Sequence, residues 1–148
     1  IKEKLAEYKI PIVKIPALKQ GGDLVLDDGT VIPNEEVTHD PPKPRKYAYC
    51  SDTAYSEKVI EAVAGVDLLY HEATFLNQLE KRAKETFHST AAQAATVARE
   101  AGVKKLIVGH YSARYHDLRA YHDEIKPIFE NYELADDGME FKIPFQDS

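Results

Sequence analysis

The stretch Lys104-Lys105-Leu106-Ile107-Val108-Gly109-His110-Tyr111-Ser112-Ala113-Arg114-Tyr115 decides how the chain reads. Its apolar run is short and bounded, the pattern of a buried strand, and its character changes abruptly to His, Ser and Arg at the carboxyl end. Open α/β sheets build their sites where buried strands end in this way. Two earlier segments repeat the pattern. Tyr47-Ala48-Tyr49-Cys50 runs into Ser51-Asp52-Thr53, and Asp67-Leu68-Leu69-Tyr70 runs into His71-Glu72-Ala73-Thr74. Consecutive strands thus place Asp, Glu or His at one edge, which suits a hydrolase site using one or two metal ions.

Helical patterns fill the gaps. They are expected at about residues 55–64, 76–85, 90–101 and 117–131, with Ser89 as an N-cap and Gly65 and Gly102 as stops. Residues 139–143, Met139 to Ile143, read as a closing strand. Alternation of this kind predicts a layered α/β domain. Upstream, residues 2–8 read as helix. Pro11 and Pro16 predict extended chain over residues 9–16. Apolar runs on either side of Asp27-Asp28-Gly29 predict a β-hairpin. Residues 33–46, with Pro33, Pro41, Pro42 and Pro44, read as a polar loop. The whole is expected to be a single domain over 1–148, with 1–46 as an extended and hairpin lead-in and 47–148 as the α/β core.

At 148 residues, 43% hydrophobic and 30% charged, the chain can bury a core of its own. No apolar run approaches the roughly 20 residues that span a membrane. The net charge of −6 argues against holding nucleic acid on a uniformly basic surface. A nucleic-acid enzyme whose positive charge comes from metal ions or a separate arm stays open. Cys50 is the sole cysteine, which excludes an internal disulfide and suits a reducing cytoplasm. The chain begins at Ile1 rather than Met, and a fragment or processed product is the expectation.

Each candidate residue has two readings. Asp52 is either a carboxylate metal ligand or a loop Asp capping the next helix. Glu72 either orients an imidazole or is strand-end polarity facing solvent, and His71 shares that status. Thr74 suits a phosphate oxygen or a helix cap. His88 is a proton donor or phosphate contact, or else a residue beside a cap. His110 is a zinc or manganese ligand opposite Asp52, or a satisfied core histidine; Gly109 leaves room beside it. Ser112 and Arg114 together suit a phosphodiester, and a surface salt bridge is the alternative for Arg114. His39, His116 and His122 read as surface residues, and Cys50 as a buried thiol.

The series Tyr49-Cys50-Ser51-Asp52-Thr53, His71-Glu72-Ala73-Thr74-Phe75, His88-Ser89-Thr90 and Gly109-His110-Tyr111-Ser112-Ala113-Arg114-Tyr115 resembles the ribonuclease Z family of the metallo-β-lactamase superfamily. That resemblance implies an α/β fold, the C-terminal half of an αββα four-layer sandwich. It implies an endoribonuclease that removes the 3′ trailer of precursor tRNA by metal-dependent phosphodiester hydrolysis. Asp52 would bridge two metal ions, zinc or manganese, and His110 would bind one of them. His88 paired with Glu72 would relay a proton to the leaving 3′ oxygen, while Thr74, Ser112 and Arg114 would contact phosphate or shape the site. The implied partners are precursor tRNA and a second copy of the chain, with no DNA and no membrane. The family's main metal motif, His-x-His-x-Asp-His, is absent from this sequence, as are a further His ligand and the arm that grips tRNA. The expectation is therefore that this chain alone binds metal weakly or not at all and is inactive. Two other readings remain: another phosphodiesterase or hydrolase of the superfamily, against which His-Glu-Ala-Thr argues, and a non-catalytic association module.

Overall fold

A computed structural model describes residues 1–145; the three positions beyond, which the single-domain expectation includes, lie outside the described residues. Backbone contacts divide the chain into two compact units, with the boundary between Lys43 and Pro44.

The N-terminal unit is a small cluster of short elements. Helix α1 is Lys2–Glu7, followed by a single 3₁₀ turn, Ile12–Lys14, and helix α2, Ile15–Lys19. The extended chain predicted here does not form. Pro16 instead occupies the first turn of α2, where its missing N–H would have had no partner within the helix. The hairpin does form, as strands β1 (Leu24–Val25) and β2 (Val31–Ile32). Helix α3, Asn34–Val37, interrupts the predicted loop. The Asn34 amide clips these pieces together by donating to the carbonyls of Leu18 and Gly22 at 2.8 and 2.7 Å. Ile10, Leu18, Leu24 and Val37 form the unit's buried centre.

The second unit is a four-stranded parallel sheet. Its strands are β3 (Tyr47–Cys50), β4 (Leu68–Glu72), β5 (Lys105–Gly109) and β6 (Tyr132–Leu134), side by side in chain order. Parallel neighbours need crossovers, and helices supply them. Helix α4 (Glu57–Ala62) joins β3 to β4. Helices α5 (Glu80–Glu85) and α6 (Ala91–Glu100) join β4 to β5, and α7 (Arg119–Ile125) joins β5 to β6. Helix α6 packs on β4 and β5 and is flanked by α4 and α7. Ala91, Ala94, Ala95 and Ala98 are fully buried, so α6 lies close against Leu69, Leu106 and Val108. The paired register sets Cys50, His71 and Val108 in one row across the sheet, so the strands end together.

Several boundaries differ from expectation, among them a 3₁₀ turn at Asn77–Leu79 at the start of the helix expected over 76–85. The last helix stops at Ile125 instead of running to residue 131, because Pro127 cannot donate to the helical ladder. The final strand is Tyr132–Leu134, which completes the sheet beside β5, while Met139–Ile143 forms no strand. Together with Ala135, these later residues line a 400 Å³ cavity against Tyr47, Tyr70, Leu68 and Ile107 on the sheet face away from α6. The N-cap of α6 is Thr90 rather than Ser89. Its hydroxyl accepts from Gln93 N–H, and the Gln93 side chain accepts from Thr90 N–H.

His71 is buried under this layer. Its Nδ1–H donates to the Glu72 carbonyl at 2.7 Å, while Nε2 has no partner among the described residues. Burial pushes the imidazole pKa down, outweighing the hydrogen bond that favours the cation. The folded chain therefore resists protonating His71, whereas the unfolded chain takes a proton near pH ~6.5. Stability conferred by neutral His71 is complete above that value and is lost as the pH falls below it. Urea titrations from about pH 7 to about pH 5 should show unfolding free energy declining, and His71→Leu should flatten the decline. An unchanged slope in His71→Leu would exclude His71 as the cause.

Candidate active site

The loops at the carboxyl ends of β3, β4 and β5 converge on one carboxylate. Glu72, the last residue of β4, is fully buried. Its Oε1 accepts from Thr53 N–H at 3.0 Å and from His88 Nδ1 at 2.7 Å. Its Oε2 accepts from Thr74 N–H at 3.0 Å and from the Thr74 hydroxyl at 2.8 Å. Burial opposes ionisation, but the donors from Thr74 and His88 outweigh it, and the pKa lies below the ordinary glutamate value.

The Thr74 hydroxyl extends this network. Having donated to Glu72, it accepts from His110 Nδ1 at 2.8 Å. One carboxylate thus fixes two imidazoles, His88 directly and His110 through Thr74. Both rings carry their proton on Nδ1, which leaves Nε2 with a lone pair. His110 Nε2 faces Asp52 Oδ1 at 3.6 Å, and the two ring centroids are 5.4 Å apart. Single donor atoms from Asp52, His88 and His110 all lie within 4.8 Å of one another. A carboxylate and two imidazoles so arranged fit a divalent transition metal such as zinc or manganese.

Local backbone geometry delivers these side chains. Asp52 and His110 follow β3 and β5 at φ +49° and +60°, left-handed conformations that turn the chain sharply at the sheet edge. Phe87, next to His88, has φ +59° and belongs to a Schellman turn ending α5. In that turn His88 N–H donates to the Ala83 carbonyl and Phe87 N–H to that of Lys84. The loop after β4 is tied to the start of α6 by Phe75 N–H to the Ser89 carbonyl and Ala91 N–H to the Phe75 carbonyl. The Ser89 hydroxyl donates to the Thr53 carbonyl at 2.6 Å, binding the β3 loop to the same point. At Gly109 the vacant side-chain space is taken by the Tyr70 ring, whose hydroxyl would lie 2.5 Å from an added Cβ.

Asp52, Glu72, Thr74, His88 and His110 are therefore brought together. Ser112 and Arg114 lie beside them. Arg114 Nε donates to the Ser112 hydroxyl at 2.9 Å, and its guanidinium rests 5.1 Å over the Phe75 ring. Phe75 in turn meets His88 edge-on at 6.1 Å. The sequence reading missed Thr53, Phe75 and the Ser89 hydroxyl as supports. Their common signal is adjacency to Asp52, Thr74 and His88.

Comparison with known proteins follows the same residues. A family model described as "Beta-lactamase superfamily domain" matches residues 17–111. The chain belongs to this superfamily. It is 47% identical over 143 residues to a ribonuclease Z of Parabacteroides distasonis, covering 97% of this chain and 47% of the relative. It thus spans about half the length of the curated relatives it matches. Among solved structures, the metallo-β-lactamase fold protein YhfI of Bacillus subtilis superposes with a TM-score of 0.57 at 24% identity, over 62% of this chain and 37% of that one. A long-form RNase Z from yeast gives 0.52 at 32% identity, over 59% and 12%. The layered sheet and helices are part of a metallo-β-lactamase fold.

Removing the Glu72 carboxylate strands the Thr53 and Thr74 N–H groups inside the protein. Glu72→Ala should lower the unfolding free energy by on the order of 2–5 kcal/mol in urea melts. Full retention of stability would mean that the network does not hold this edge together.

Proposed function

We propose that these residues contribute to the active site of an endoribonuclease that removes the 3′ trailer of precursor tRNA by metal-dependent phosphodiester hydrolysis. The observation that carries the reading is the single buried carboxylate that presents two histidines toward Asp52. The chain's similarity to ribonuclease Z proteins supports the choice of substrate. It also favours this reading over another hydrolase of the superfamily or a non-catalytic association module.

Asp52 and His110 are the proposed metal-binding residues, with zinc favoured by the donor set and manganese compatible with it. When bound, the metal supplies stabilisation of charge on the phosphoryl oxygens and a more acidic water. With Nδ1 held by Glu72, His88 takes up a proton from solvent water at Nε2 and passes it to the departing 3′ oxygen. Glu72, accepting from His88 Nδ1, fixes the ring's orientation and its tautomer. The Thr74 hydroxyl is already engaged on both sides, which favours orienting His110 over contacting phosphate. Ser112 and the exposed Arg114 suit phosphate, because a guanidinium presents several donors to its oxygens. Precursor tRNA, a homodimeric assembly and a reducing cytoplasm complete the proposal; Cys50, the lone thiol, suits that compartment. Among the described residues no helix is long and apolar enough to cross a membrane.

A second reading assigns His88 as a third metal ligand, favoured by its place in the cluster with Asp52 and His110. Zinc titration calorimetry separates the two when this chain replaces the matching segment of the Parabacteroides distasonis ribonuclease Z. If His88→Ala weakens zinc binding as much as Asp52→Ala, His88 is a ligand. If it leaves zinc binding intact, the proton-donor role stands.

The activity is tested by replacing the matching segment of the Parabacteroides distasonis ribonuclease Z with this chain. The chimaera should release the 3′ trailer of a precursor tRNA in the presence of zinc or manganese. Asp52→Ala and His88→Ala within it should each lower the rate at least about 100-fold. A folded chimaera that cleaves bis-p-nitrophenyl phosphate but not precursor tRNA would contradict the substrate assignment.

A further inference from the structure

The second unit carries a groove of about 670 Å³ that His88 lines on one side and that extends away from Glu72 along α5. One wall is α5, where Lys81 and Lys84, three residues apart, share a helix face. Neither lysine forms an ion pair among the described residues. The facing wall contributes the half-exposed ring of Tyr55. Phe87 stands at the mouth, 73% exposed, and its ring stacks on no other among the described residues. The rim also holds Glu80, whose carboxylate accepts from Gln93 at 3.2 Å.

Phe87 is the anomaly. It occupies the left-handed position of the Schellman turn that ends α5, where glycine is the usual occupant because a Cβ is strained there. A bulky aromatic side chain in that conformation is a conformational outlier. With most of its side chain exposed, little packing offsets that strain. Strain and exposed apolar area at one residue, adjoining a site, point from structure toward function. An open aromatic face flanked by unpaired cations matches one ligand chemistry well: bases stack on the ring while phosphates meet the ammonium groups. That positive pair is local, since the chain as a whole carries a net charge of −6.

We propose that this groove binds the single-stranded part of the RNA substrate adjoining the cleaved phosphate, with Phe87 stacking on a base and Lys81 and Lys84 holding the backbone. The inference rests on the ribonuclease reading of the neighbouring site. It adds a subsite that grips single strand by stacking and charge, without base-edge readout, so it should tolerate different sequences.

The test is fluorescence anisotropy of the full chain with a labelled single-stranded RNA of about 12 nucleotides, in EDTA so that metal and cleavage play no part. Phe87→Gly should weaken binding about ten-fold while raising the melting temperature, and Phe87→Trp should bind as the parent does. Lys81→Ala with Lys84→Ala should weaken binding and flatten its salt dependence by a slope of about 1.4. No RNA binding by the parent chain, or equal affinity in Phe87→Gly, overturns the proposal. Loss of affinity in Phe87→Gly together with a lowered melting temperature also overturns it, since Phe87 would then be structural. A lysine effect with no Phe87 effect reduces the groove to a plain anion patch and overturns it likewise. These outcomes are independent of the chimaera: a groove that binds RNA beside a chimaera that fails to cleave leaves the subsite standing and sinks the catalytic reading, and the converse result does the reverse.

Discussion

A buried, ionised carboxylate is tolerable only when its lone pairs are filled, and Glu72 meets that condition with donors from three different segments. The consequence runs both ways. The donors hold Glu72 charged, and Glu72 holds the donors: the β3 loop through Thr53, its own loop through Thr74, and the start of α6 through His88. His110, beyond β5, joins through the Thr74 hydroxyl. Residues 53, 74, 88 and 110 are far apart in the chain, so the sheet edge is cross-linked at one point.

That arrangement needs the rest of the second unit. Parallel strands in register end at a common edge, and the alanine face of α6 lets its N-terminus sit directly above it. The backbone then accepts left-handed conformations at Asp52, Phe87 and His110, all beside this carboxylate. Strained residues persist where surrounding contacts over-determine them, and the hydrogen bonds converging on Glu72 supply such contacts beside Asp52 and at His110.

Much of this was legible in the sequence because buried strands ending in Asp, Glu and His are distinctive, as at Cys50-Ser51-Asp52 and Gly109-His110. The pairing of Glu72 with His88 came from resemblance to a family, and spacing alone did not reveal it. What escaped depended on competition between local signals. Pro16 reads as a breaker but also fits a first helical turn. Tyr132-Glu133-Leu134 is too short to announce a strand, and its state is set by the open edge of β5. Ser89 and Thr90 are equivalent caps by type; Ser89 instead donates to Thr53, and Thr90 takes the cap. The left-handed Phe87 had no signal at all, since an aromatic residue is the last expected there.

The account stands on the claim that one carboxylate sets the protonation pattern of two histidines. Long-range ¹H–¹⁵N correlation spectra of the chain in EDTA read that pattern directly. In their neutral forms, His88 and His110 should both show the proton on Nδ1 with a bare Nε2, while replacement of Glu72 by Gln should leave a tautomer mixture at both. An Nε2-protonated tautomer at either histidine in the parent chain, or spectra indifferent to Glu72, would contradict the account.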